Sequence, residues 1–320
     1  MKFQLISTKY INNNNKPGIM MYGRSDDGSS VSHVVSGFAP YFYIKPTDFD
    51  MACRILEEIP EVESFHPVMK FLPIGFQTEK TKVIKVIVYQ PSQVPRVRDF
   101  LQGSEFIEEC YEADVLYATQ RFLTDFNIGG MQWIETDGNE IKGLDIQEDA
   151  PIRILGFDIE VCPPVSGVPN PKEDPIIMIS ISFNNGKSMV LVAKHGNDNE
   201  VIKFCNDEYW MLETFCDIIK DYDPDVIMSF NGFMFDYPYI LERMDILQVC
   251  NNFGRDGSPF VIKEFGSKRE VNIIGRVSID LLEAIKNNYS LNSYSLENVS
   301  KELLNRPKLD IKASQMRHIW

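Results

Sequence analysis

The pattern of apolar and polar positions divides the chain into two stretches of different texture. In the first, short runs rich in β-branched and aromatic residues alternate with turn clusters. Residues 3–11, 19–22, 31–35 and 41–44 read as strands, separated by Asn12–Asn15 with Lys16-Pro17-Gly18, by Ser25-Asp26-Asp27-Gly28 and by a turn near Gly37. The period then changes. Met51, Ile55, Leu56 and Ile59 recur at helical spacing behind Thr47 or Asp48, either of which can cap the helix. A strand over 83–88, a short helix over 94–101 and a longer helix over 113–126, stopped by Gly129-Gly130, follow. Residues 131–135 read as another strand and residues 136–150 as a polar, acidic linker.

Beyond the linker, Ile152–Val161 is an almost continuous apolar run of strand length between Pro151 and Pro163-Pro164, the pattern of a central strand covered on both faces. After a loop over 163–175, residues 176–183 and 188–193 form a hairpin across Asn184-Asn185-Gly186. A helix over 207–222 buries Met211, Phe215, Ile218 and Ile219 and stops at Asp223-Pro224, and 226–230 is a short buried strand. Strand, hairpin, helix, strand opens a three-layer α/β domain, whereas the first stretch is mixed α+β. The boundary placed in the linker gives domains of residues 1–148 and 149–320. Alternation across 259–277 around Gly266-Ser267-Lys268-Arg269 reads as a hairpin with a basic tip.

Composition refines this. At 320 residues the chain exceeds one ordinary core, and its 44% hydrophobic and 24% charged content is that of a globular protein. A formal net charge of −14 argues against sequence-blind adhesion to nucleic acid, yet leaves room for a local phosphate-handling cleft. The six cysteines are scattered without a CxxC pair, so reduced thiols in an intracellular compartment are expected. No apolar run reaches membrane-spanning length and the N-terminus leads into polar sequence, so the chain reads as soluble, with no membrane partner.

Two acids interrupt the apolar run. Strand side chains alternate with period 2, so Asp158 and Glu160 project from one face. Carboxylates held together beside an apolar sheet stay ionised only near a strong cation, and a hard divalent ion, Mg²⁺ or Mn²⁺, suits oxygen donors. The alternative is a strand ending at the surface with both acids solvated. Asp236 follows Asn231-Gly232-Phe233-Met234-Phe235 and precedes Pro238. It reads either as a helix N-cap or as a third carboxylate from a neighbouring strand end.

Phe157-Asp158-Ile159-Glu160 and Asn231-Gly232-Phe233-Met234-Phe235-Asp236 resemble the first two exonuclease motifs of family B DNA polymerases. Gly37-Phe38-Ala39-Pro40-Tyr41-Phe42-Tyr43, Gly75-Phe76-Gln77, Tyr111-Glu112-Ala113-Asp114 and Trp133-Ile134-Glu135 are similar to N-terminal segments of the delta type in eukaryotes and large DNA viruses. Gly275-Arg276-Val277-Ser278-Ile279-Asp280-Leu281-Leu282 and Leu291-Asn292-Ser293-Tyr294-Ser295-Leu296 match the stretch between the second and third exonuclease motifs. The resemblance runs in the family's order along essentially the whole chain.

It implies a ribonuclease H-like 3′→5′ exonuclease domain, a mixed sheet flanked by helices, preceded by an α+β N-terminal domain and serving proofreading in DNA replication. Asp158, Glu160 and Asp236 match the catalytic metal ligands, with two Mg²⁺ ions about 3.5–4 Å apart in such sites. Asn231 and Phe235 match positions that support the site or the frayed DNA end; turn formation and core packing are the alternatives. Lys268 and Arg269 fall on a hairpin that in the family helps pass the primer strand between active sites, or on an ordinary solvated turn. For Asp280 a structural role is expected. The implied partners are the single-stranded 3′ end of primer DNA, the remainder of the polymerase and a sliding clamp, in a nucleus or a viral replication site. The family's third motif, Tyr-x-x-x-Asp beyond Lys308-Leu309-Asp310, is missing, because no Tyr follows Tyr294, and so is the palm. The expectation is a domain truncated before its third motif, with little or no exonuclease activity alone and exposed apolar surface. A free-standing DEDD exonuclease would need a complete acidic quartet, and a non-enzymatic nucleic-acid binder a basic, aromatic-lined surface.

Overall fold

The computed structural model describes residues 1–13, 16–73, 75–162, 164 and 167–306. Asn14, Asn15, Pro163 and the Lys308-Leu309-Asp310 segment lie outside the described residues. The chain forms two compact units, one of residues 1–25 with 31–148 and one of residues 26–30 with 149 onward.

The first unit contains β1 (Lys2–Asn13), β2 (Lys16–Arg24), β3 (Ser30–Ser36), β4 (Tyr41–Pro46), α1 (Phe49–Glu57), β5 (Val62–Lys70), β6 (Thr81–Val88), α2 (Val94–Gln102), β7 (Ile107–Tyr111), α3 (Phe122–Asp125), β8 (Trp133–Asp137) and β9 (Glu140–Leu144). They build two sheets, β3-β2-β1-β8-β9 and β5-β6-β4-β7. In the second sheet Phe42 and Ile44 point to the side where Ala52, Leu56, Val97 and Leu101 of the two helices close the core. Asp48, not Thr47, caps α1, accepting the Met51 amide at 3.0 Å.

Three features of this unit differ from the pattern reading. The helix expected over 113–126 shrinks to a wide π-type turn over Tyr117–Arg121 running into α3. There the Leu116 carbonyl accepts both the Gln120 and Arg121 amides at 2.9 Å. Buried Arg121 holds the Glu112 carbonyl at 2.9 Å, and Glu112 itself has a left-handed φ of 59°, so a local ionic tie overrides helical spacing. β5 carries Pro67, which is tolerated because β5 is an edge strand. The linker is shorter than expected, since β9 pairs with β8 through a turn at Gly138, φ 56°.

The second unit contains β10 (Ile154–Val161), β11 (Ile176–Phe183), β12 (Ser188–Val192), β13 (Ile202–Phe204), α4 (Glu208–Tyr222), β14 (Val226–Ser229), α5 (Asp236–Leu247), β15 (Val261–Phe265), β16 (Lys268–Asn272), β17 (Val277–Asp280), α6 (Leu281–Asn288) and α7 (Leu296–Leu304). Its main sheet has the order β13-β12-β11-β10-β14-β17. β10, β11 and β12 are antiparallel neighbours, while β10, β14 and β17 run parallel. Phe157 packs its ring 5.2 Å from Phe215 of α4 and 5.1 Å from Tyr237 of α5, which locates the core on one side of β10. Along that strand Leu155, Phe157, Ile159 and Val161 are buried, whereas Asp158 and Glu160 are exposed. The acidic face is therefore open among the described residues rather than covered as its apolar composition suggested. No helix among the described residues is long and apolar enough to cross a membrane.

Candidate functional site

β10 and β14 pair only over Ile154–Gly156 and Val226–Met228. β14 then ends at Ser229 and the chain turns away, which deprives the next amides of β10 of ladder acceptors. Asp236 supplies one. Its Oδ1 accepts the Ile159 amide at 3.0 Å, and the side chain is only 2% exposed. The carboxylate does not cap its own helix: Phe235 occupies the N-cap position and Asp236 is the first residue of α5.

The turn that delivers Asp236 is tightly specified. Asn231, not Gly232, takes the left-handed conformation, with φ 61°. Gly232 is required by close approach: a Cβ there would lie 2.0 Å from Ser229 Oγ and 3.3 Å from Asp236 Oδ2. The Ser229 and Tyr237 hydroxyls are buried and have no hydrogen-bond partner among the described residues. Asp280, at the end of β17, accepts the Asn231 amide at 2.9 Å and the Phe233 amide at 3.1 Å, and caps α6 through the Leu282 amide at 3.0 Å. At the opposite end of β14, Arg276 donates to Asp223 Oδ1 at 2.8 Å and to the Phe253 carbonyl at 2.9 Å. Arg255 pairs there with Asp223 and Asp225. Both ends of the strand are thus pinned by charged groups flanking or ending β17.

Electrostatics mark Asp236 out. Burial, followed by the negative charge of Asp158, pushes its carboxyl up to about 7, with Asp280 adding to the rise and the Ile159 amide opposing it. Through the Ile159 amide, Asp236 at the start of α5 is held against β10 next to Asp158, and Glu160 lies one pleat along on the exposed face of that strand. Among the described residues no three His, Cys, Asp or Glu side chains converge closely enough to hold a metal ion. The donor set nonetheless fits a hard divalent cation: all three are carboxylates, and the buried one needs positive charge beside it to ionise at neutral pH.

The remaining sequence-predicted residues sit at varying distances from this pair. Asn231 and Phe235 are on the turn, Phe235 37% exposed with its ring 5.4 Å from Tyr239. The tip of the β15–β16 hairpin is Gly266-Ser267, and Lys268 and Arg269 belong to the returning strand. Arg269 pairs with Glu264 at 2.9 Å and reaches the Met234 carbonyl at 3.5 Å, while Lys268 stands exposed. An open cavity of about 260 Å³ separates hairpin from turn, lined by Phe233, Met234, Lys268, Arg269, Asp280 and Glu283 among others. Ser229 carried no weight in the sequence reading and Gly232 only that of a turn residue; no local pattern distinguishes a glycine needed for contact from one needed for conformation.

The DNA polymerase family B exonuclease domain matches residues 108–299. The chain is 28% identical to DNA polymerase 2 of Aeropyrum pernix over 95% of its own length and 39% of that protein's. It is 29% identical to the DNA polymerase delta catalytic subunit of Schizosaccharomyces pombe, over 98% of its length and 35% of the relative's. The structure of the family B DNA polymerase from the hyperthermophilic archaeon Pyrobaculum calidifontis superposes with a TM-score of 0.83 at 25% identity, covering 100% of this chain and 42% of that one. The chain thus spans well under half the length of these relatives. It belongs to DNA polymerase family B, matching the N-terminal and exonuclease portion of those enzymes.

Proposed function

We propose that this chain supplies metal-dependent 3′→5′ proofreading to a longer DNA-directed DNA polymerase, residues 149–320 as a ribonuclease H-like exonuclease domain and residues 1–148 as the polymerase-type N-terminal domain. The observation that carries the reading is that buried Asp236 holds the Ile159 amide of β10, between the exposed carboxylates of Asp158 and Glu160 on that strand, inside the matched region. Within the six-stranded sheet the run β12-β11-β10-β14-β17, three antiparallel strands followed by two parallel ones, is the ribonuclease H-like arrangement and supports it.

Asp158, Glu160 and Asp236 would hold two Mg²⁺ or Mn²⁺ ions, which when bound supply Lewis-acid charge for hydrolysis at phosphorus. The residues of the chain do the rest. The open face beside β10 admits the single-stranded 3′ end of a primer. Phe235, partly exposed beside Tyr239, offers a stacking surface for an unpaired base. Lys268 and Arg269 meet backbone phosphates from the hairpin, and Asn231 holds the turn under Asp236. The remaining partners are the rest of the polymerase and a sliding clamp, at an intracellular site of DNA replication.

The test is titration of a fluorescent single-stranded oligonucleotide with the chain, in Mn²⁺ or in EDTA, for wild type and Asp158→Ala. Binding strengthened by Mn²⁺ in wild type and indifferent to it in the variant is the expected result. Equal binding under all four conditions would overturn the proposal.

A further inference from the structure

We infer that Asp280 is the positioning residue of the Asp158–Asp236 site, holding the turn that aims Asp236; the inference rests on the reading of those acids as cation ligands. Asp280 lies opposite Ser229 in the ladder between β17 and β14, where β14 ends. Its carboxylate gathers three amides from two directions: Asn231 and Phe233 of the turn, and Leu282 of α6. Every partner is a donor, so the position calls for a group that only accepts. An asparagine would present its NH₂ to one of these amides and lose that bond.

The connection to Asp236 is short and continuous. The left-handed Asn231 conformation is unfavourable for a non-glycine residue, and the bond to Asp280 offsets its cost. The Asn231 carbonyl accepts the Phe235 amide at 3.2 Å, and the Gly232 carbonyl accepts the Tyr237 amide at 2.9 Å. The turn clamped by Asp280 is therefore fused to the first turn of α5. Asp236 leaves that turn directly to reach the Ile159 amide on β10. A merely structural N-cap would need the Leu282 bond alone; the two bonds to the turn are what tie α6 and β17 to the candidate ligand.

The experiment uses the whole 320-residue chain as wild type, Asp280→Asn and Asp280→Glu. Asp207→Ala is the comparator, because it removes the α4 cap, which accepts the Trp210 amide at 3.0 Å, far along the chain from the turn. Two readouts are taken: Mn²⁺ affinity by electron paramagnetic resonance, and hydrogen exchange of the Ile159 amide, which reports whether Asp236 is in place. Asp280→Asn is expected to weaken Mn²⁺ binding about ten- to a hundred-fold, the range for loss of an outer-sphere partner. It should also speed Ile159 exchange roughly tenfold, with Ile227 on β14 unchanged. Asp280→Glu, which keeps an acceptor-only group, should restore part of both, and it decides the matter should the asparagine variant not fold. Asp207→Ala should lower the melting temperature without moving either readout. Mn²⁺ affinity and Ile159 protection that change no more in Asp280→Asn than in Asp207→Ala would overturn the inference. A wild-type chain that binds no Mn²⁺ would overturn the proposed function instead, and Ile159 exchange would then decide the positioning role alone.

Discussion

Raising the pH on the metal-free chain should destabilise it through one residue, Asp236. Its carboxyl moves from the usual 3.8 to about 7 in the folded state, because burial and the neighbouring Asp158 disfavour the anion. A shift of about three units corresponds to roughly 4 kcal/mol, a large share of the 5–15 kcal/mol stability typical of a folded protein. The folded state holds this proton more tightly than the unfolded chain does. The favourable contribution is therefore complete below about pH 4, declines as pH rises, and is gone above about pH 7. Asp236→Asn isolates it: the amide oxygen can still accept the Ile159 amide, and nothing ionises. Urea unfolding of both proteins in EDTA, followed by circular dichroism from about pH 5 to about pH 8, should show the variant gaining on wild type by up to about 3 kcal/mol. Mg²⁺ should reverse the trend, stabilising wild type more at the upper pH than at the lower and leaving the variant nearly unaffected. The comparison cancels the other 45 acids that follow from a total of 46. Wild-type and variant stabilities that run parallel across this pH range would refute the reasoning, as would equal Mg²⁺ effects at its two ends.

Gly232→Ala should cost about 1–3 kcal/mol in urea unfolding, since its Cβ would sit 2.5 Å from Ser229 Cβ and the backbone must move. Arg243→Met should cost about 3–5 kcal/mol, because it strands buried Glu208, which Arg243 holds through Nε at 2.8 Å; adding Glu208→Gln should recover part of the loss. Arg269→Ala should change stability by no more than about 1 kcal/mol, since its partner Glu264 is largely exposed, yet weaken Mn²⁺-dependent oligonucleotide binding measured by fluorescence.

What the sequence disclosed and what it hid follow from the range of the interactions involved. β10, α4 and the 184–187 turn were readable because each rests on its own residues: alternation through Phe157 and Ile159, the Asp207 cap, and the turn that includes Gly186 with φ 84°. The shared face of Asp158 and Glu160 is likewise a local consequence of the pleat. β5 and β9 were missed because edge strands tolerate Pro67 and the exposed Glu140 and Lys142 beside Gly143, which carry the composition of loops. The tie between Asp236 and Ile159 was beyond any local pattern. The need for an acceptor arises only where β14 stops pairing with β10, and the residue that meets it, Asp236, lies 77 residues from Ile159 in sequence. The Gly275-Arg276 to Asp280 stretch was recognisable by resemblance, but its reason is geometric. A strand of four residues, Val277–Asp280, spans the length of β14, so Arg276 meets Asp223 before that strand begins and Asp280 meets Asn231 after it ends. Spacing along one strand thereby sets the position of an acid delivered by another, and shortening β17 by one residue should release one end of β14 while leaving the other in place.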